Sequence, residues 1–387
     1  MAPFISLVRR ELWMLLGAIT DLNSDRRLWS NMEGVWPGGG GSRSRCARLL
    51  AALFGLLVMA CSTSESLAPS RQQHVDLRLG VYANLTHATA LVGLRQGFFA
   101  TALGPDVVLS TATFSAGPEA VTALLSNSID ATYIGPNPAI NAFTQSRGQA
   151  VRIVSGTTSG GAALVVKPVI TSPIDLRGKR LATPQLGNTQ DVALRYWLSR
   201  NGLKTTPEGG GDVSVHPQDN AQTLQTFRAG QIAGAWVPEP WATRLVLEGG
   251  GKVLVDERDL WPDGLFATTL LVVRTDYLRQ HTAVVRRLID GQIRSNAFVN
   301  SQPADAQRIA NAAINEITGK PLPDQVVASA WAHLTFTNDP IAGSLRDSAQ
   351  HASKVGLLPG VDLRGIFDLS LLNQSLAAQG EPSVMGL

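Results

Sequence analysis

The run Gly187-Asn188-Thr189-Gln190 separates an apolar strand pattern, Leu181 to Thr183, from a helical pattern starting near Gln190. A turn opening a helix exposes backbone N–H groups that lack intrahelical partners, at the positive end of the helix dipole. Such a turn can hold an anion without any full positive charge, and Asn188 and Thr189 add side-chain donors. The same residue types are ordinary helix caps, so this turn alone reads either way. Four other stretches share its character: Asn84-Leu85-Thr86-His87-Ala88, Phe114-Ser115-Ala116-Gly117-Pro118, Gly135-Pro136-Asn137-Pro138 and Thr157-Thr158-Ser159-Gly160-Gly161. Each follows a predicted strand. Ligands of open α/β sheets sit beyond the carboxyl ends of strands. Five such turns at one end of the fold point to a polar ligand more than to five caps.

Trp236-Val237-Pro238-Glu239-Pro240-Trp241 is the other chemical feature. Trp236 ends a predicted strand, and Glu239 is held between prolines that stiffen the loop. The ring can pack on a ligand's alkyl part while the carboxylate accepts from its amine. Equally, Trp236 is a core residue and Glu239 a solvated one. Catalysis finds little support. The six histidines show no HxxxH or HxH spacing for zinc, and there is neither a Gly-x-Ser-x-Gly elbow nor a Walker A loop. His87 beside Thr86 is the one candidate base. No cofactor and no metal site is expected.

The elements that must position these turns alternate. Val75–Tyr82, Asp106–Thr113, Ile129–Gly135 and Val151–Thr158 read as strands, with helical patterns between them. Strands at Arg180–Pro184, Asp212–Pro217 and Ile232–Val237 repeat the scheme. Alternation of this kind argues an α/β protein with largely parallel sheets. Leu124–Ile140 and Thr226–Ala242 echo one another: helix end, polar turn, Ile, strand, then Pro-x-Pro into a helix. The echo suggests two lobes on one plan. Gly161–Ile170 and Thr268–Leu278 share a Leu-Val-Val core and are expected to form a two-strand hinge. The expected division is 76–166 with 269–387 as one lobe and 167–268 as the other, the last third being helical.

The 387 residues carry a net charge of +3. Residues 1–60 hold that whole excess, so no basic patch marks a nucleic-acid partner. Arg43, Arg45 and Arg48 precede the apolar run Leu49–Ala60, which ends at Cys61. A basic flank and a short apolar core form an export signal, and a dozen residues are too few for an ordinary spanning helix. Val58-Met59-Ala60-Cys61 resembles a bacterial lipoprotein lipobox, which implies cleavage before Cys61 and a diacylglycerol on its thiol. A plain membrane anchor is the other reading. Met32 opens a leader of more usual length than Met1 does. Residues 61–75 read as a polar tether. The remaining cysteine, Cys46, lies inside the leader, so cysteine metal sites and thiol nucleophiles are excluded from the mature domain.

Together, Thr86–Phe99, Leu124–Phe143, Gly156–Lys167, Asp175–Leu198 and Trp236–Ala242 resemble the NitT/TauT substrate-binding proteins of ABC importers. The resemblance spans about Asp76 to Tyr277. It implies a periplasmic-binding-protein-like type II fold, two α/β lobes closing on a solute. It implies ligand contacts at Thr86, His87, Phe114, Ser115, Gly117, Pro136, Asn137, Thr158, Ser159 and Gly160 from the first lobe. Asn188, Thr189, Gln190, Trp236 and Glu239 would answer from the second. The expected function is capture of an aliphatic sulfonate or taurine by an exported, lipid-anchored monomer that serves an ABC permease and its ATPase. Nitrate or a pyrimidine (thiamine) precursor is the alternative ligand, and an enzyme on the same fold the alternative class. Receptors of the taurine and nitrate type often set an Arg or Lys on the anion. No Arg or Lys lies within these turns, and Arg244 is the nearest candidate.

Overall fold

The structure, a computed structural model, describes residues 74–360 and 362–387. The leader, Cys61 and most of the tether lie outside the described residues. Eleven strands are described, in chain order β1 (Val75–Val81), β2 (Val107–Thr113), β3 (Ala131–Ile134), β4 (Val151–Gly160), β5 (Ala162–Val166), β6 (Arg180–Thr183), β7 (Ser214–Pro217), β8 (Gly234–Pro238), β9 (Lys252–Asp256), β10 (Ala267–Arg274) and β11 (Leu334–Phe336). They form two sheets, of order β11-β4-β10-β3-β1-β2 and β7-β6-β8-β5-β9.

The run β10-β3-β1-β2 and the run β5-β8-β6-β7 follow one plan. The echoing stretches of sequence fall on β3 and β8, which hold equivalent places. Each sheet is mixed rather than largely parallel. β1 pairs in parallel with β2 and β3, and β6 with β7 and β8, while β10 and β5 run antiparallel to their neighbours. The reason is the crossing. β10 and β5 are the strands by which the chain enters a sheet from the other one. They arrive where the parallel strands end, and so must run away from that edge.

Alternate residues of one strand serve opposite faces of a sheet. Leu271 and Val273 pack with Leu77, Leu79 and the helix Thr282–Ser301, whereas Leu270 and Val272 pack with Ile134, Ile153 and the helix Pro136–Gln145. In the second sheet Leu164 and Val166 meet Trp236 and Leu198, and Ala163 and Val165 meet Phe227 and Leu245. No helix among the described residues is long and apolar enough to cross a membrane.

Two segments join the sheets. β4 runs into β5 through Gly160 and Gly161, at φ 76° and 73°. β9 leads to β10 through two short 3-10 turns, Glu257–Leu260 and Pro262–Gly264. The segments lie side by side: Phe266 N–H donates to Ser159 Oγ at 3.2 Å, and Thr268 Oγ1 donates to the Gly160 carbonyl. The strand Ala162–Val166, expected with the first lobe, is instead hydrogen-bonded between β8 and β9 in the second sheet. The chain changes sheets at the glycine pair, earlier than the shared Leu-Val-Val pattern suggests, because only glycine takes two successive positive φ values without strain.

A side chain at Gly161 would be strained by the positive φ and would meet Leu334, whose Cδ2 lies 2.2 Å from the position of a Cβ. Gly161→Ala is expected to destabilise the protein by about 2 kcal/mol or more. Chemical denaturation measures this, and an unchanged midpoint would refute the account.

Candidate functional site

The carboxyl ends of the parallel strands face each other across a cleft between the sheets. From the first sheet the cleft is lined by Tyr82, Asn84, Thr86 and His87 after β1, by Ser115, Ala116 and Gly117 after β2, and by Gly135 after β3. From the second come Pro184, Asn188, Thr189 and Gln190 after β6, Asn220 after β7 and Pro238 at the end of β8. Thr268 and Thr269, on the strand entering the first sheet, complete it. The helices Gly117–Leu125, Pro136–Gln145, Thr189–Arg200 and Asn220–Arg228 all begin here. Their free N–H groups and dipoles give the cleft a positive potential.

The walls stand close, enclosing a volume of about 30 Å³. Gly135 presses on Thr189 from the opposite lobe: a Cβ there would lie 2.5 Å from Thr189 Oγ1. Trp241 Nε1 donates to Asn84 Oδ1 at 3.0 Å, and Gln185 Nε2 to Glu119 Oε1 at 2.9 Å. Farther out, Tyr196 of the second lobe stacks on His351 of the first at 3.7 Å.

Buried polar atoms nearly always find a hydrogen-bond partner, so exceptions need a reason. Eight buried side-chain polar atoms among the described residues have none. Four of them line this cleft: Tyr82 OH and His87 Nδ1 from the first lobe, Thr189 Oγ1 and Asn220 Oδ1 from the second. Burial lowers the His87 pKa to about 3 and raises that of Tyr82, so both are neutral near pH 7. The two rings stack at 4.2 Å. No residue of the lining then carries a full charge. It offers hydroxyls, amides, an imidazole and helix ends.

Of the residues expected at the site, Thr86, His87, Ser115, Gly117, Asn188, Thr189 and Gln190 lie together on the cleft. Asn188 is both cap and wall, since its side chain accepts from Thr189 N–H while Thr189 Oγ1 stays free. Phe114 sits behind the wall, edge-on to Tyr82 at 6.4 Å. Pro136 opens its helix, and Asn137 turns away to donate to the Ser348 carbonyl at 3.1 Å. Thr158 donates to the Thr86 carbonyl at 2.8 Å, and Ser159 and Gly160 belong to the crossing. These residues position the wall without lining it.

Trp236 and Glu239 are placed otherwise than expected. Trp236 is fully buried, packs edge-on against Trp197 and donates to Glu257 Oε2 at 2.7 Å. Burial raises that carboxyl's pKa to about 7, against the indole bonds that lower it. Glu239 accepts from Thr243 N–H at 3.0 Å and Thr243 Oγ1 at 2.9 Å, and its Oε1 lies 2.7 Å from His333 Nδ1. That bond raises the His333 pKa. Both groups line a separate pocket of about 240 Å³ with Asp256. Arg244 stays outside the cleft, paired with Glu248 at 2.7 Å and lying over the Trp241 ring.

Tyr82, Asn220, Thr268 and Thr269 went unassigned from sequence, and Asn84 was named only as part of its turn. Asn220 had a signal, because it opens a helix after a strand as Asn188 nearly does. Thr268 and Thr269 had none, since they open a strand pattern instead of following one.

Residues 70–314 match the NMT1-like family. The chain belongs to that family. Its relatives include the taurine-binding periplasmic protein of Escherichia coli (strain K12), 28% identical over 266 residues, which is 64% of this chain and 78% of that protein. Among solved structures, the alkanesulfonate-binding protein SsuA from Xanthomonas axonopodis pv. citri bound to MOPS superposes with a TM-score of 0.63 at 20% identity, covering 74% of this chain and 96% of that one. The periplasmic nitrate-binding protein NrtA from Synechocystis PCC 6803 gives 0.64 at 17%, covering 81% and 92%. The NMT1-like chain thus shares the two-lobed α/β fold of periplasmic binding proteins.

Two outcomes follow from this geometry. Gly135→Ala, whose new methyl meets Thr189 across the cleft, should hold the lobes apart while leaving the melting temperature within a few degrees. Small-angle scattering would then give a larger radius of gyration than the parent chain, and an identical one would refute the contact. His87 is a buried group with a depressed pKa. Between about pH 6.5 and 3 the unfolded chain holds a proton on it that the folded chain does not, so stability falls as pH drops through that window, by about 1.4 kcal/mol per pH unit at most. His87→Gln should flatten this part of the stability profile. Parallel profiles would show that His87 takes its proton in the folded state.

Proposed function

We propose that this chain is the extracytoplasmic solute receptor of an ABC importer, closing on a small sulfonate-like solute, an aliphatic sulfonate or taurine, and delivering it to a membrane permease driven by its ATPase. The observation that carries the reading is the convergence of unpartnered buried polar atoms from both lobes, Tyr82 OH and His87 Nδ1 facing Thr189 Oγ1 and Asn220 Oδ1. A solute touching both lobes stabilises the closed arrangement by its differential affinity for it. A sulfonate spreads its charge over three oxygens and suits several neutral donors and helix ends better than one point charge. The names of the relatives support the same solute class. Binding rather than catalysis is the role assigned, since His87 is neutral, buried and stacked. The receptor acts as a monomer without cofactor or nucleic acid, tethered to the membrane by lipid on Cys61.

The Tyr82–His87 stack favours one second reading, a flat ring such as a pyrimidine precursor laid along it. The test is thermal denaturation of the purified chain with taurine, ethanesulfonate, nitrate and an aminopyrimidine. A solute at about 100 times its Kd adds about 2.7 kcal/mol of stability, a rise of a few degrees for a chain of this size. Taurine or ethanesulfonate should give that rise, and Thr189→Val should weaken it about tenfold in Kd by removing one hydroxyl contact. A rise with the aminopyrimidine alone would replace the sulfonate assignment. No rise with any of the four would remove the sulfonate assignment.

A further inference from the structure

The turn after β6 rests on a buried ion pair that does not itself line the cleft. Asp191 and Arg195 lie one turn apart in the helix Thr189–Arg200, their side chains 0% and 1% exposed. Asp191 Oδ1 accepts from Thr183 Oγ1 at 2.8 Å, and its Oδ2 from Gly187 N–H at 3.0 Å. Arg195 Nε donates to the two oxygens at 3.1 and 3.0 Å, and its remaining nitrogens reach the carbonyls of Thr206 and Pro207. The turn of the first lobe is built alike: Ser115 N–H donates to Glu119 Oε2 at 2.9 Å, again four residues on. Glu119, however, is exposed, and solvent screens it. Asp191 is out of reach of solvent, and the group that offsets its charge is Arg195.

A carboxylate in the first turn of a helix stabilises the helix, yet opposes an anion held at the same end. We propose that Asp191 and Arg195 are positioning residues that set the anion affinity of the cleft, Asp191 by fixing the Gly187–Thr189 turn and Arg195 by cancelling the charge this fixing requires. The proposal rests on the receptor reading above. It gives the two residues opposite effects on an anionic solute, because each variant uncovers the charge of the other in a medium of low dielectric.

The experiment is calorimetric titration of the parent chain, Asp191→Asn, Arg195→Met and the double variant with ethanesulfonate and its neutral analogue ethanesulfonamide, melting curves being recorded for each. Arg195→Met should weaken ethanesulfonate about tenfold, and Asp191→Asn should bind it about threefold more tightly than the parent. The double variant should return to within about threefold of the parent, and the sulfonamide should move much less throughout. A merely structural pair would weaken both probes in both single variants, which would overturn the proposal and leave the receptor reading intact. If Arg195→Met fails to fold, Asp191→Asn alone decides, since the two roles predict opposite signs for it. Absence of ethanesulfonate binding by both the parent and Asp191→Asn would remove the sulfonate reading and this proposal together.

Discussion

The glycine pair at the end of β4 governs the rest of the molecule. Gly160 and Gly161 let one strand leave the first sheet and continue almost at once as a strand of the second. The return segment lies hydrogen-bonded alongside. With the crossing fixed there, the parallel strands of both sheets must end where the chain passes over, and the helices following them must start there. The cleft is the place to which this topology brings every strand-to-helix turn.

What gathers in the cleft is polar but uncharged. Helix ends supply a diffuse positive potential, hydroxyls and amides supply direction, and the acids close to the cleft are each engaged, Glu119 with Gln185 and Asp191 with Arg195. Neutral donors lose less hydration than a guanidinium or ammonium when a cleft closes over them, because burying an ion is far more costly than burying a hydroxyl. A site built this way, closing as proposed, would stay nearly free of charge whether open or closed.

Much of the architecture was legible because period-two apolar runs alternate with helical ones, and the echo between Leu124–Ile140 and Thr226–Ala242 marks strands that hold equivalent positions. β9 and β11 escaped notice because little of them is buried, β9 having no buried residue and β11 only Phe336. The turn residues of the cleft were legible for one physical reason: the residues that cap helices are also those that offer donors at a helix start. Trp236 and Glu239 were misplaced because sequence does not say how far along β8 the cleft begins, and Trp236 lies two residues short of the strand's end. Pro238 reaches it, while Trp236 sinks into the core and Glu239 finds His333, 94 residues away in the chain.

The paired crossing segments have a mechanical consequence. One connecting strand can twist as well as bend. Two strands tied edge to edge resist twisting and sliding, and leave mainly a single bending coordinate, the hinge type of domain closure. The distance between Tyr82 and Thr189 is then a function of one angle. In a receptor of the proposed kind, a longer solute would stop the lobes at a wider angle and a shorter one at a narrower angle, transcribing molecular length into the relative orientation of two outer surfaces. A permease that recognised both surfaces at once would thereby measure the cargo without touching it.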